Sequence, residues 1–229
     1  MGTGHTETIT REYPGAFERI VVETPNGDVD LRSTDGPISV TGTKRATDAA
    51  DLTNVTLTMS RDGDTLELAV EIDEGLFSFG TSPRMDLEVA IPELAAVEAD
   101  TTNGEITCDL SSVTTVAATA TNGDIDCAIE GAEDVTAETT NGRIDISLAA
   151  PADMTAETIN GDVDVTLPAG AEPALAFDAV SGGLSVTGLE AGSVESGSVL
   201  GASVETTIGA GTTRVEVETV NGDATIRGR

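Results

Sequence analysis

The 229-residue chain carries 41 Asp and Glu against 11 Lys and Arg, a formal net charge of −30. Phosphate backbones are held by clustered Lys and Arg, so this composition excludes nucleic acid as a partner and argues against direct binding to anionic membranes. Apolar residues still make up 38%, and they alternate regularly with polar ones, which separates the chain from acidic disordered tails.

Lys44 is the only lysine; the other basic residues are arginines. Abundant carboxylates, Thr and Ala with almost no lysine suggest adaptation to high salt. At about 1 M salt the Debye length is only ~3 Å, so surface carboxylates barely repel one another.

Residues 1–16 are expected to be loosely ordered. Met1 to Phe17 contains no basic region followed by an apolar run, so it does not read as a signal peptide. No stretch of about 18 apolar residues is present to form a transmembrane helix. As written, the sequence suits the cytoplasm; a cell-surface location would need processing or another export route. A domain is expected over 17–229.

Its first unit is Ile20, Val22, Thr24, Asn26, Val29 and Leu31, followed by Asp35-Gly36, Ile38 and Val40. Residues 43–92 break the pattern. Residues 44–52 read as a loop or short helical turn. Val55, Leu57 and Met59, then Asp62-Gly63, then Leu66, Leu68, Val70 and Ile72 predict a β-hairpin. A Gly-containing loop with Phe77 and Phe79 follows over 73–84, then a strand with Met85, Leu87, Val89 and Ile91, closed by Pro92.

Residues 93–229 hold the regular repeats. Asn103, Asn122, Asn141 and Asn160 each precede Gly and recur every 19 residues; Asn26 and Asn221 head further Asn-Gly pairs. Six positions before the central asparagines stand Val97, Val116, Val135 and Met154; four before stand Ala99, Ala118, Ala137 and Ala156. After the corner come Ile106, Ile125, Ile144 and Val163, then Cys108, Cys127, Ile146 and Val165. Period-two alternation rich in Val, Ile and Thr predicts strands. Asn and Gly between them are expected to supply a left-handed corner. Weaker copies follow at Leu175 to Val186 and around Leu200-Gly201, with a clear last one from Val215 to Ile226.

The fold class expected is all-β: a single-domain β-solenoid of about 19-residue coils with an irregular N-terminal β-hairpin insertion. An antiparallel meander, with each Asn-Gly a hairpin turn, also fits. The constant period favours the solenoid, where Asn26, Asn103, Asn122, Asn141, Asn160 and Asn221 are structural corners and stacked asparagines hydrogen-bond along the axis.

The unit Val135-Thr-Ala-Glu-Thr-Thr-Asn-Gly-Arg-Ile-Asp-Ile-Ser-Leu148 resembles the repeat of the putative-adhesin family of bacteria and archaea, a domain of unknown function. Asp86-Leu-Glu-Val-Ala-Ile-Pro-Glu93 resembles that family's lead-in to its repeats. The resemblance spans residues 17–229. It implies a β-solenoid with a role at the cell surface or in envelope sensing, in a family whose members are often exported or membrane-attached.

Candidate chemistry is sparse. His5 is the only histidine and lies in the expected loose terminus. Cys108 and Cys127 share an inward column, either as packed thiols or as a disulfide. Asp124 and Asp162 follow their corners directly, with Arg143 between them in that column and expected to neutralise part of it. Asp126, Asp145 and Asp164 form a second outward column. They could be a solvated acidic face, Ca²⁺ ligands or a glycosidase pair. A chain with no Trp, one Tyr and four Phe lacks aromatic sugar platforms. The expectation is therefore a non-enzymatic scaffold without catalytic residues or cofactors, meeting an unknown protein or cell-envelope partner in an unspecified oligomeric state. The alternatives are a polysaccharide-active or Ca²⁺-dependent carbohydrate-binding β-helix and a cytoplasmic partner-binding protein.

Overall fold

The computed structural model describes the backbone of residues 4–73, 83–189 and 194–229, and the side chains of all of these except 194–202. Its strands, in chain order, are β1 (His5–Tyr13), β2 (Arg19–Asn26), β3 (Val29–Ser33), β4 (Ile38–Ala46), β5 (Val55–Asp62), β6 (Thr65–Ile72), β7 (Arg84–Ile91), β8 (Leu94–Asn103), β9 (Ile106–Leu110), β10 (Val113–Asn122), β11 (Ile125–Ile129), β12 (Asp134–Asn141), β13 (Ile144–Leu148), β14 (Asp153–Asn160), β15 (Val163–Leu167), β16 (Pro173–Thr187), β17 (Val194–Thr207), β18 (Thr213–Asn221) and β19 (Ala224–Gly228). A 3₁₀ turn, Asp51–Asn54, precedes β5 and overlaps only the end of the loop or turn expected over 44–52, whose first residues, to Ala46, belong to β4.

Each coil uses two strands. The strand before the corner belongs to one face, the first sheet, and the strand after it to another, the second sheet; β16 and β17 run through both and join them into a single 19-stranded sheet. Val116 of β10 pairs with Val97 of β8 and Val135 of β12, and Val135 pairs in turn with Met154 of β14, all in parallel. In the second sheet Ile125 of β11 lies between Ile106 of β9 and Ile144 of β13, again parallel. The chain is therefore a solenoid and not a meander. Alternation explains the core: in β11 the pattern is buried at Ile125, Cys127 and Ile129 and exposed between. These inward columns merge into one apolar cluster along the stack. At about 25 cal/mol per Å² of apolar surface, each buried Val or Ile contributes roughly 1.5–3 kcal/mol.

The corner is built differently from the expectation. Among the described residues no non-glycine residue has positive φ, and of the corner glycines only Gly27 and Gly182 do (φ 141° and 159°); Gly104, Gly123, Gly142, Gly161 and Gly222 do not. Glycine is required by closeness. A Cβ on Gly123 would lie 1.7 Å from the carbonyl oxygen of Gly104 one coil away. Backbone bonds run between the same corners, as from Gly123 N–H to the Asn141 carbonyl at 3.0 Å.

Chain order and stacking order part company at both ends. In the first sheet β2 lies between β8 and β6, and in the second β3 lies between β9 and β7. At the other end the last coil, β18 and β19, is inserted between β14/β15 and β16. Both terminal coils are thus enclosed within the stack. The predicted hairpin is present: β5 pairs antiparallel with β6 and covers one edge.

Two expectations need correction. Residues 5–13 are not loose: β1 pairs antiparallel with β4 along its whole length, from His5–Ala46 to Tyr13–Ile38. Its side chains are nearly all exposed, so the order comes from the backbone ladder, which composition does not reveal. Leu200-Gly201 heads no further parallel coil, although Leu200 pairs opposite Ser181 at the corner of the β16 coil. β17 runs back antiparallel along β16, crossing both sheets and covering the opposite edge. Antiparallel strands cap the parallel stack at both ends here, leaving β1, β5 and β17 as its edge strands. The predicted loop with Phe77 and Phe79 lies outside the described residues.

Candidate functional site

All six predicted corner asparagines meet in one ladder. Each Nδ2 donates to the Oδ1 of the previous coil: Asn103 to Asn26 at 2.7 Å, Asn122 to Asn103 at 3.0 Å, Asn141 to Asn122 at 2.9 Å, Asn160 to Asn141 at 2.9 Å and Asn221 to Asn160 at 3.0 Å. Just inside, buried threonines donate to corner carbonyls one coil away, as Thr139 does to Gly123 at 3.0 Å and Thr158 to Gly142 at 3.2 Å. Just outside, the aspartates that follow the corners accept backbone N–H groups from the next coil. Asp124 Oδ1 accepts from Arg143 at 2.7 Å, Asp162 from Asp223 at 2.8 Å and Asp223 from Gly183 at 2.8 Å. The post-corner carboxylates thus fasten coil to coil.

The candidate cation column is intact as a column: Asp126 pairs with Asp145 and Asp145 with Asp164 across the ladder. The charges of its middle and last members are answered by protein. Arg143 Nη2 reaches Asp145 at 3.1 Å and Asp164 at 2.6 Å, and Arg227 Nη1 lies 3.5 Å from the other oxygen of Asp164. Arg143 was expected to neutralise the post-corner column; it leans instead onto this second one. Burial holds the Asp145 carboxyl above its usual range, opposed by Arg143 and reinforced by Asp126 and Asp164. Among the described residues no three His, Cys, Asp or Glu side chains converge as a metal ligand set.

Cys108 and Cys127 are cross-strand neighbours, buried and unbonded to each other. A hydrogen bond with Cys127, and then burial, raises the Cys108 thiol well above its ordinary value, so the pair packs as small apolar groups. His5 is an exposed residue of β1.

The feature that sequence reading missed lies on the outer face of the first sheet. The position before each corner is Pro25, Thr102, Thr121 and Thr140 in successive coils, but Ile159, Val220 and Val180 at the far end. These three stand one behind another, between the aligned sets Thr158, Thr219, Ala179 and Asn160, Asn221, Ser181. They are the exposed large hydrophobics of the described residues, at 46%, 37% and 57% exposure. Two positions back along the strands, Glu138, Glu157, Glu218 and Asp178 form a parallel carboxylate column. Together the columns line an open groove of about 600 Å³. None of these four carboxylates has an ion-pair partner among the described residues. Burial raises Glu157 above the usual carboxylate range, and Glu138 and Glu218 push it the same way. A signal was available: Ile and Val in a column otherwise given to Thr and Pro. It was hidden because attention to inward positions discards the outward ones.

The sequence pattern of the family described as Toastrack DUF4097 matches residues 3–227. No curated protein matches the chain. A solved structure described as a putative cell adhesion protein from Clostridium sporogenes has a TM-score of 0.55 at 14% identity, covering 99% of this chain and 100% of that one. A putative adhesin from Bacteroides fragilis gives 0.43 at 14% identity over 97% of each chain. Another from Parabacteroides distasonis gives 0.45 at 11% over 100% of this chain and 98% of that one.

Proposed function

The chain belongs to the Toastrack DUF4097 family, and on that premise we propose that it is a non-enzymatic interaction scaffold at the cell surface or envelope. The groove on the outer face of the first sheet is its contact surface. One observation carries this: Ile159, Val220 and Val180 are exposed in a single column whose other coils hold Thr or Pro. An apolar strip left to water and rimmed by polar side chains is the kind of surface a partner covers. The Clostridium sporogenes protein, described as a putative cell adhesion protein, supports the surface role. A surplus of carboxylates suits a salt-rich medium, where screening removes their mutual repulsion.

The polysaccharide and Ca²⁺ alternatives draw on Asp126, Asp145 and Asp164. They gain nothing from a column whose middle and last members already hold arginine.

The test is retention on envelope preparations at high ionic strength. The triple variant Ile159→Thr, Val180→Thr and Val220→Thr carries the residue that column already uses at Thr102, Thr121 and Thr140. Retention is expected to fall to background with the melting temperature kept. Undiminished retention would overturn the groove as contact surface.

A further inference from the structure

We infer that the groove takes a cationic amphipathic segment of a partner protein, its apolar side chains on Ile159, Val220 and Val180 and its Lys or Arg on Glu138, Glu157, Glu218 and Asp178. This deepens, and rests on, the contact surface proposed above.

Neighbouring strands repeat at about 4.8 Å, so the three apolar residues make a strip roughly 10 Å long; the carboxylate column lies two residues, or roughly 7 Å, to one side. A ligand must therefore be apolar along one edge and charged along the other. The sign of that charge follows from the wall. Four unpaired carboxylates stack at strand spacing; salt screens their repulsion, but none holds a cation from the fold itself among the described residues, so a bound cation is favoured there, most strongly at low ionic strength. A second copy of this chain would bring its own net charge of −30 to the same surface, so self-association does not relieve it. An anionic lipid surface is repelled for the same reason. A polypeptide bearing Lys or Arg beside apolar residues satisfies both columns at once and gains from electrostatic steering.

The contrast with the second sheet supplies the internal reference. Its Asp145 and Asp164 are met by Arg143 and Arg227. The proposed partner would do for the groove what these arginines do for that column.

The experiment is fluorescence anisotropy of the full chain with labelled synthetic peptides: alternating leucine–lysine, alternating serine–lysine and alternating leucine–glutamate. The leucine–lysine peptide is expected to bind tightest and the leucine–glutamate peptide not at all. The triple threonine variant should weaken leucine–lysine binding about tenfold, to the serine–lysine level. Glu157→Gln with Glu218→Gln should weaken both lysine peptides and flatten their salt dependence. Asp126→Asn, on the other sheet, should change neither. Equal affinity of the triple variant for leucine–lysine, binding of leucine–glutamate, or full competition by spermine would overturn the proposal. If leucine–lysine fails to bind while envelope retention is still lost in the triple variant, the cationic occupant falls and the contact surface stands. If retention survives that variant, the contact surface itself falls.

Discussion

The two outer faces of the solenoid are made by the same stack, in the same register, on either side of one corner, and they end up chemically different. Both carry columns of carboxylates. On the second sheet, Arg143 spans Asp145 and Asp164 from one coil to the next, and Arg227 adds a second contact to Asp164. On the first sheet Glu138, Glu157, Glu218 and Asp178 stand unpaired among the described residues, beside an exposed apolar strip. A carboxylate column therefore says little until its neighbours are known. Both columns face outward; in one the middle and last carboxylates are met by arginines of the fold, and in the other the charge is unmet.

The comparison can be broken outright at the corner both faces share. A Cβ on Gly142 would stand 2.0 Å from the Gly123 carbonyl oxygen. Gly142→Ala is expected to cost ~3–5 kcal/mol, and chemical denaturation should show both faces lost in one transition. A smaller effect separates the faces. Arg143→Ala leaves Asp145 without a cation and Asp164 with Arg227 alone. A loss of about 0.5–1 kcal/mol is expected at low salt, vanishing in high salt, and melting curves across ionic strength would read it.

Ala120→Thr strengthens the seam and leaves the outward carboxylate and apolar columns of both faces unchanged. Thr101, Thr139, Thr158 and Thr219 each donate to a corner glycine carbonyl, whereas Ala120 is buried in that column without a hydroxyl. A gain of about 1 kcal/mol is expected if the new hydroxyl reaches the Gly104 carbonyl, seen as a higher denaturation midpoint.

The smallest effect concerns pH. Burial and neighbouring carboxylates raise Glu157 in the folded chain, so folding favours its protonated form. That contribution is full below the unfolded carboxylate pKa and is lost as pH rises through the folded value. At low salt the melting temperature should climb as pH falls from neutral into the carboxylate range. Glu157→Gln should raise the neutral value slightly and shrink the climb. Arg143→Ala should leave this slope at Glu157 unchanged.

Local chemistry made much of this legible. Val97, Val116, Val135 and Met154 announced an inward column because burial on a pleated strand repeats every second residue, and the Asn-Gly steps announced corners because Asn and Gly most readily take a left-handed backbone. The reason for glycine was misjudged: it is demanded by the carbonyl of the coil beneath, which exists only once the coils are stacked. The strand at His5–Tyr13 was missed because backbone pairing, unlike apolar burial, leaves no compositional trace.

What the sequence determined alone was the repeat: its length, its two strands, its inward columns and its asparagine seam, since these rest on short-range periodicity and on like residues meeting like. The tertiary structure decided the order of the coils at both ends, the partner of each carboxylate, and the meeting of Ile159, Val220 and Val180. Those depend on which distant strands become neighbours, and pairing between strands far apart in the chain is set by how the whole stack closes its edges.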